Sequence, residues 1–272
     1  MLALSINELT TYRWTFEQDV VRSKAAGFDC LGVWRQKLAD FGEEKGIELL
    51  HDHEMNVSNL MWIGGFTGSD GRSYRDSLED ASEAIELAAM MGAGALVCYS
   101  GARGGHTYNH ARRLLVSALR ELEPMARSLG VDLAVEPMHA GCAETWTFLT
   151  TLDDTLDVLA EVDSSAVKMV FDTYHLGYEQ DIVARCRQIA SHVAVVHLGD
   201  ATAPPRGEPN RCLLGRGELP LAEMLQSLEE GGYQGYADIE LLGQDMEFVG
   251  YEEILEKSAK TFDRLSIGAA VE

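Results

Sequence analysis

Val167-Lys168-Met169-Val170-Phe171-Asp172 is a short β-branched and aliphatic run that stops at a carboxylate. Its length, its composition and the helical pattern after it read as a buried parallel strand. The same reading fits Val131-Asp132-Leu133-Ala134-Val135-Glu136, Val193-Ala194-Val195-Val196-His197 and Tyr236-Ala237-Asp238-Ile239-Glu240. If the four strands are parallel, their last residues leave the same end of the sheet, and Glu136, Asp172, His197 and Glu240 converge. Three carboxylates gathered in a partly dry pocket raise one another's pKa, and a divalent cation is the economical way to keep them ionised.

Working outward, four more strand-like runs stand at residues 2–7, 29–34, 56–60 and 95–100. Amphipathic stretches fill the intervals at 16–26, 41–54, 73–91, 109–129, 152–162, 180–191, 221–230 and 251–265. Glycine stops follow several of them, at Gly27, Gly92, Gly130 and Gly232. Eight β/α units in 272 residues, with no Ser/Pro/Gly-rich divider, predict a single α/β domain over 1–272, a (β/α)8 TIM barrel. An open doubly wound sheet fits less well, because Asn7-Glu8-Leu9-Thr10 stands where a glycine-rich dinucleotide loop would follow the first strand.

In such a barrel the active site lies at the C-terminal strand ends, where the four ligand-type residues fall on strands 5 to 8. With a period of two, Ala134, Val170, Val195 and Asp238 point inward one layer below them. Asp132 and Lys168 lie deeper still and are expected to form an interior salt bridge. Long loops are expected after strands 3, 4, 5 and 7. An oxygen-rich set with one imidazole suits Mn²⁺, Mg²⁺ or Co²⁺ in an octahedral site, while Zn²⁺ also tolerates carboxylates and open coordination.

The formal net charge of −22 argues against a nucleic-acid or anionic-membrane partner. No run approaches the roughly 18 apolar residues of a membrane span, and the N-terminus has no basic, apolar leader pattern. A cytoplasmic protein is the expectation. Cys30, Cys98, Cys142, Cys186 and Cys212 are widely spaced and read as reduced, structural thiols. His51 and His53 close a helix C-terminus and receive no function.

Glu136-Pro137-Met138, Phe171-Asp172-Thr173-Tyr174-His175, Val196-His197-Leu198-Gly199-Asp200, Gly215-Arg216-Gly217 and Asp238-Ile239-Glu240 resemble the signatures of the xylose isomerase-like TIM-barrel superfamily. The resemblance is strongest to its sugar phosphate isomerase/epimerase group, whose relatives include ketose 3-epimerases, hydroxypyruvate isomerases and inosose dehydratases. It covers roughly the second half of the chain. It implies one divalent metal, with Mn²⁺ the first choice, on Glu136, Asp172, His197 and Glu240, and substrate contacts from His175 and Arg211. The Ala201 to Pro209 insertion sets Arg211 further from His197 than in relatives. Where the ketose 3-epimerase pattern has a second glutamate, Cys142 stands here, so either Glu144 serves after a loop shift or the substrate differs. Trp34 and Trp62 are candidate walls for a sugar face or core residues, and His106 and His110 either reach the pocket mouth or belong to a solvated loop and helix start. His139 lines the pocket or lies on a surface loop.

What the resemblance implies is a metal-assisted isomerase or epimerase of a ketose or related polyol, free or phosphorylated. Proton transfer would run through a metal-stabilised enediolate, with Glu136 and Glu240 as base and acid. Dehydration of an inosose-type keto-polyol begins with the same proton removal and is the alternative. An AP-endonuclease reading needs histidines at the ends of strands 2 and 3 and a basic groove, which the chain lacks. A sugar-binding barrel without catalysis would keep the ligands too. By analogy, a homo-oligomeric dimer or tetramer is expected.

Overall fold

In the computed structural model, which describes residues 2–268, each apolar run pairs with the next and the eighth returns to the first, closing a parallel barrel. The strands are β1 (Ala3–Asn7), β2 (Cys30–Trp34), β3 (Asn56–Gly64), β4 (Ala95–Tyr99), β5 (Asp132–Val135), β6 (Val167–Asp172), β7 (Val193–Leu198) and β8 (Tyr236–Ile239). The helices are α1 (Phe16–Ala25), α2 (Arg35–Phe41), α3 (Glu43–Asp52), α4 (Tyr74–Met91), α5 (Tyr108–Leu129), α6 (Leu152–Val162), α7 (Thr173–Leu176), α8 (Ile182–Ile189), α9 (Leu221–Glu230) and α10 (Tyr251–Gly268). Met1 and residues 269–272 of the expected 1–272 domain lie outside the described residues. No helix among the described residues is long and apolar enough to cross a membrane.

Local chemistry sets the helix boundaries. Thr15 and Gln18 form a capping box at α1, and Ser73 and Asp76 form one at α4, satisfying first-turn amides that otherwise lack partners. Gly92 and Gly130 end α4 and α5 in the left-handed conformation, where a Cβ would be strained.

Two element boundaries need correction. The helix expected over 41–54 is α3, and an unexpected helix, α2, precedes it, the two separated at Gly42, whose φ of 105° no helix accommodates. β3 runs to Gly64 rather than stopping at Leu60, so Trp62 stands within the strand.

Outward side chains such as Ile6, Leu31, Leu60, Leu133 and Phe171 join the helices in the main core. A smaller interior cluster holds Met61, Val97, Tyr99, Ala134, Val170 and Val195, in keeping with the inward layer expected from the period of two. On the other side of the interior the layer is polar. A register shift between Leu31 and Gly32 accommodates both Ser58 and Asn59 of β3 among buried partners. The Asp132–Lys168 pair forms at 2.8 Å, but with side chains 28% and 31% exposed it sits at the rim of the barrel's lower end, not in its interior.

Candidate metal centre

Parallel pairing brings the expected ligands together. Asp172 is the register partner of His197, and His197 of Asp238. Glu136 and Glu240 extend their strands by one rung, their amides donating to Cys98 O and Leu198 O. Ligand atoms of Glu136, Asp172, His197 and Glu240 lie within 4.8 Å of one another, and all four residues are buried.

Hydrogen bonds and ion pairs aim these groups. Asp172 caps α7, its Oδ1 accepting from the amides of Tyr174 (2.6 Å) and His175 (3.1 Å). Arg211 Nη2 bridges Asp172 Oδ2 at 2.6 Å and Glu240 Oε1 at 2.8 Å. His197 Nδ1 lies 3.2 Å from Glu136 Oε1 and 3.1 Å from Glu240 Oε2. Glu136 Oε2 is buried without a partner, and the buried Glu240 Oε2 has only its ion pair with His197. Three buried carboxylates, one with an orphaned oxygen, beside an imidazole form a donor set that fits a divalent cation.

The electrostatics divide the two glutamates. Burial works against ionisation of Glu240, yet Arg211 and His197 outweigh it and pull its pKa down to about 2. Burial raises the pKa of Glu136, and His197 only partly offsets it. Burial opposes charge on His197 as well, but Glu136 and Glu240 push its pKa well up.

The structure sorts the expected substrate contacts. His175 is buried, with its Nδ1 at 3.6 Å from Cys142 Sγ and its Nε2 at 3.9 Å from Asp172 Oδ2. Burial pushes its pKa down to about 4. The half-buried thiol of Cys142 is pushed up to about 11, so it faces His175 uncharged. Arg211 reaches the centre despite the insertion before it. Its amide donates to Leu242 O, its guanidinium lies 4.5 Å from the Tyr174 ring centroid, and Gly199 leaves no room for a side chain against it. The insertion itself crosses to the β5 loop, where Gly207 N donates to Gly141 O at 2.7 Å.

Trp34 and Trp62 stack at 6.0 Å and 15° on the opposite side of the mouth. Glu144 is exposed, and no contact ties it to the four ligands. His106 contacts Thr67 O at 3.2 Å and the ring of His110, away from the cluster. His139 turns its Nδ1 to the amide of Gly141 in the β5 loop.

Three groups escape a reading of the sequence. Tyr99 ends β4, and its hydroxyl pKa is raised well up by burial and by the facing carboxylates of Glu136 and Glu240. Trp146 of the β5 loop packs on Trp62 (5.4 Å) and Tyr99 (5.6 Å). Tyr99 carries a signal, since it ends its strand as the ligands end theirs; Trp146, within a loop, carries none. The amides of Asn7 and Asn59, which hold Asp238, are the third.

A family model described as xylose isomerase-like TIM barrel matches residues 20–265. A D-psicose 3-epimerase of Enterocloster bolteae is 33% identical over 130 residues, 47% of this chain; the matched part spans 40% of that relative's length. An inosose isomerase of Bacillus velezensis is 21% identical over 272 positions, covering 96% of this chain and 95% of the relative. Among solved structures, the IOLI protein with a bound zinc atom has a TM-score of 0.85 at 19% identity, covering 100% of both chains.

Proposed function

The chain belongs to the xylose isomerase-like TIM barrel family, and from that premise we propose that it is a divalent-metal-dependent isomerase or epimerase of a ketose or keto-polyol. The observation that carries this reading is the buried convergence of Glu136, Asp172, His197 and Glu240, with Glu136 Oε2 lacking a partner. These four residues would hold the ion. Mn²⁺, Mg²⁺, Co²⁺ and Zn²⁺ all suit the donor set, and a structural neighbour carries zinc. When bound, the ion supplies Lewis-acid charge that acidifies the C–H beside a substrate carbonyl.

The remaining work falls to this chain's own groups. Glu136 and Glu240 stand on strands 5 and 8, and their surroundings push their proton affinities apart, which suits a base and an acid working on one substrate carbon. His175, neutral at working pH, and Arg211, permanently charged, orient substrate oxygens. Trp34, Trp62, Tyr99 and Trp146 offer an apolar wall to the C–H face of a sugar or cyclitol. Arg35 and Arg72 beside that wall are both paired with Asp80 at 2.9 Å, and Arg72 also with Asp70, which favours an unphosphorylated substrate. The relative aligned along nearly the whole chain is named an inosose isomerase, so a keto-cyclitol belongs beside the ketoses among the candidates.

The test is incubation of the Mn²⁺-loaded protein in D₂O with free and phosphorylated ketoses and an inosose, read by NMR. Deuterium at one inverted carbon marks an epimerase, and deuterium at C1 or C2 of a new aldose or ketose marks an isomerase. Loss of water would move the protein to the dehydratases. No product from any substrate, with metal bound, would overturn the proposal.

A further inference from the structure

Trp34 and Trp62 are only half-buried, so each keeps part of its ring open to a ligand. Together they line a cavity of about 320 Å³ near the C-terminal ends of β2 and β3. That volume lies within the roughly 300 to 1,000 Å³ of small-molecule sites. Its other walls are polar. Arg35 opens α2 directly after Trp34, and its guanidinium donates to Trp62 O at 3.2 Å and to Asp80 Oδ1 at 2.9 Å. Arg72 donates to Asp80 Oδ2 at 2.9 Å and to Gly64 O at 3.0 Å. Burial opposes ionisation of Asp80, but the two arginines outweigh it and hold its pKa below the ordinary carboxylate range. Glu43, the first residue of α3, adds a second carboxylate to the lining, and Asp70 pairs with Arg72 from beside it. Three carboxylates against two guanidiniums leave no surplus of positive charge to draw a phosphate or a carboxylate, and the guanidiniums disfavour an ammonium group.

Indole rings beside fixed, planar donors and acceptors are the chemistry that recognises a neutral sugar. Its C–H bonds lie on the rings, and its neighbouring hydroxyls bond to guanidinium and carboxylate. The cavity also adjoins the reacting side of the mouth. Trp62 and Arg72 line a second, smaller cavity of about 140 Å³, and Tyr99 stands on its wall as well. Tyr99 is the residue whose hydroxyl faces Glu136 and Glu240. A sugar held at the four-residue cluster and a group in the larger cavity therefore meet at the Trp62 ring. We propose that the larger cavity is a second sugar subsite, which takes a neutral, non-reacting glycosyl unit, so that the substrate is a ketose or keto-polyol carrying a second sugar. The identity of the reacting unit rests on the isomerase or epimerase reading; the subsite itself uses none of the four ligand residues.

The test has a binding arm and a kinetic arm. In the first, methyl β-D-glucoside, which has no carbonyl to react, is titrated into ¹⁵N-labelled protein in Mg²⁺ buffer, and the indole N–H signals are followed. Those of Trp34 and Trp62 are expected to shift saturably, while that of Trp14, packed on Tyr251, stays in place. Unmoved Trp34 and Trp62 signals overturn the proposal whatever the turnover. In the second arm, Mn²⁺-loaded protein is given fructose and its glycosylated forms isomaltulose, leucrose and lactulose. At least one of the three is expected to exceed fructose in kcat/KM on the order of tenfold, mainly through KM, and Arg35→Met is expected to lose that preference. Fructose equal to or better than all three, or a preference that Arg35→Met leaves in place, overturns the proposal while the isomerase or epimerase reading stands. Should Arg35→Met not fold, the wild-type ratio and the indole shifts decide. If neither fructose nor its glycosides turn over, the reacting unit has been misread, and the indole shifts alone decide on the subsite.

Discussion

Across the barrel mouth, the half built by β5 to β8 is organised by charge, and the half built by β2 to β4 by ring contact. On the first side Glu136, Asp172, His197 and Glu240 lock into ion pairs with one another and with Arg211. On the second, Trp34, Trp62 and Tyr99 lean on one another and on Trp146 at 5.4 to 6.0 Å between centroids, with no ion pair among them. Such a division suits a sugar, whose oxygens need charged partners while its C–H face needs an apolar one. It also separates chemistry from grip: damage to the charged half should reach turnover, and damage to the aromatic half should reach affinity.

The largest effect is expected on the charged half. Glu240→Gln keeps the shape and removes a proton carrier together with the negative charge facing Arg211 and His197. Turnover on the substrate found in the D₂O screen should fall on the order of 10³-fold, and chelation of the wild type should abolish it until Mn²⁺ is returned. A kcat within tenfold of the wild type would remove Glu240 from proton transfer.

Next comes the acid sensitivity of the same half. His175 has its pKa lowered from 6.5 to about 4 by burial. A histidine depressed in the folded state binds fewer protons there than when unfolded. Stability is therefore full above the unfolded pKa of 6.5 and is lost as pH falls toward 4. For this buried group the loss is about 3 kcal/mol. His175→Asn should flatten the pH dependence of the metal-free protein's unfolding free energy across that window by this order. An unchanged slope in urea titrations at pH 7, 5.5 and 4.5 would mean that His175 is not buried as described.

On the aromatic half, Trp62→Ala removes the ring that contacts Trp34, Tyr99 and Trp146 together. KM should rise on the order of tenfold, equivalent to about 1.4 kcal/mol, with kcat nearly unchanged. A fall in kcat with KM intact would erase the distinction between the halves, since the ring would then act in the transition state alone.

The two halves are also unequally legible from sequence. A glutamate, an aspartate and a histidine at successive strand ends are costly to bury, so their pattern in the chain is informative by itself. A tryptophan at a strand end packs equally well in a core or a pocket, so Trp34 and Trp62 are ambiguous, and Tyr99 is easily passed over. The barrel is legible because strand length, helical period and glycine stops agree along the chain. The break at Gly42 and the extension of β3 to Gly64 are not, because both depend on a backbone angle or a pairing partner outside the local pattern. Arg211 is the opposite case: counting residues through the Ala201 to Pro209 insertion weakens its claim, while the Tyr174 ring and the Leu242 carbonyl seat it at the centre.

The smallest expected effect lies at the far end of the barrel and serves as a baseline for both halves. Lys168 and Asp132 bridge β5 and β6 at 2.8 Å, joined by opposite charge like the groups at the mouth, but roughly 30% exposed. Water and salt screen such a pair, and holding two side chains in one geometry costs conformational entropy, so its coupling should be about 0.2 to 1 kcal/mol. A double-mutant cycle with Lys168→Met and Asp132→Asn, followed by urea unfolding, measures that coupling directly. It should shrink further at high salt, with kcat and KM unmoved in all three variants. A coupling of several kcal/mol would show that this end of the barrel is drier than the exposures imply. A change in kcat would show that charge at the lower end reaches the metal centre, through the inward layer that holds Ala134 and Val170 between them.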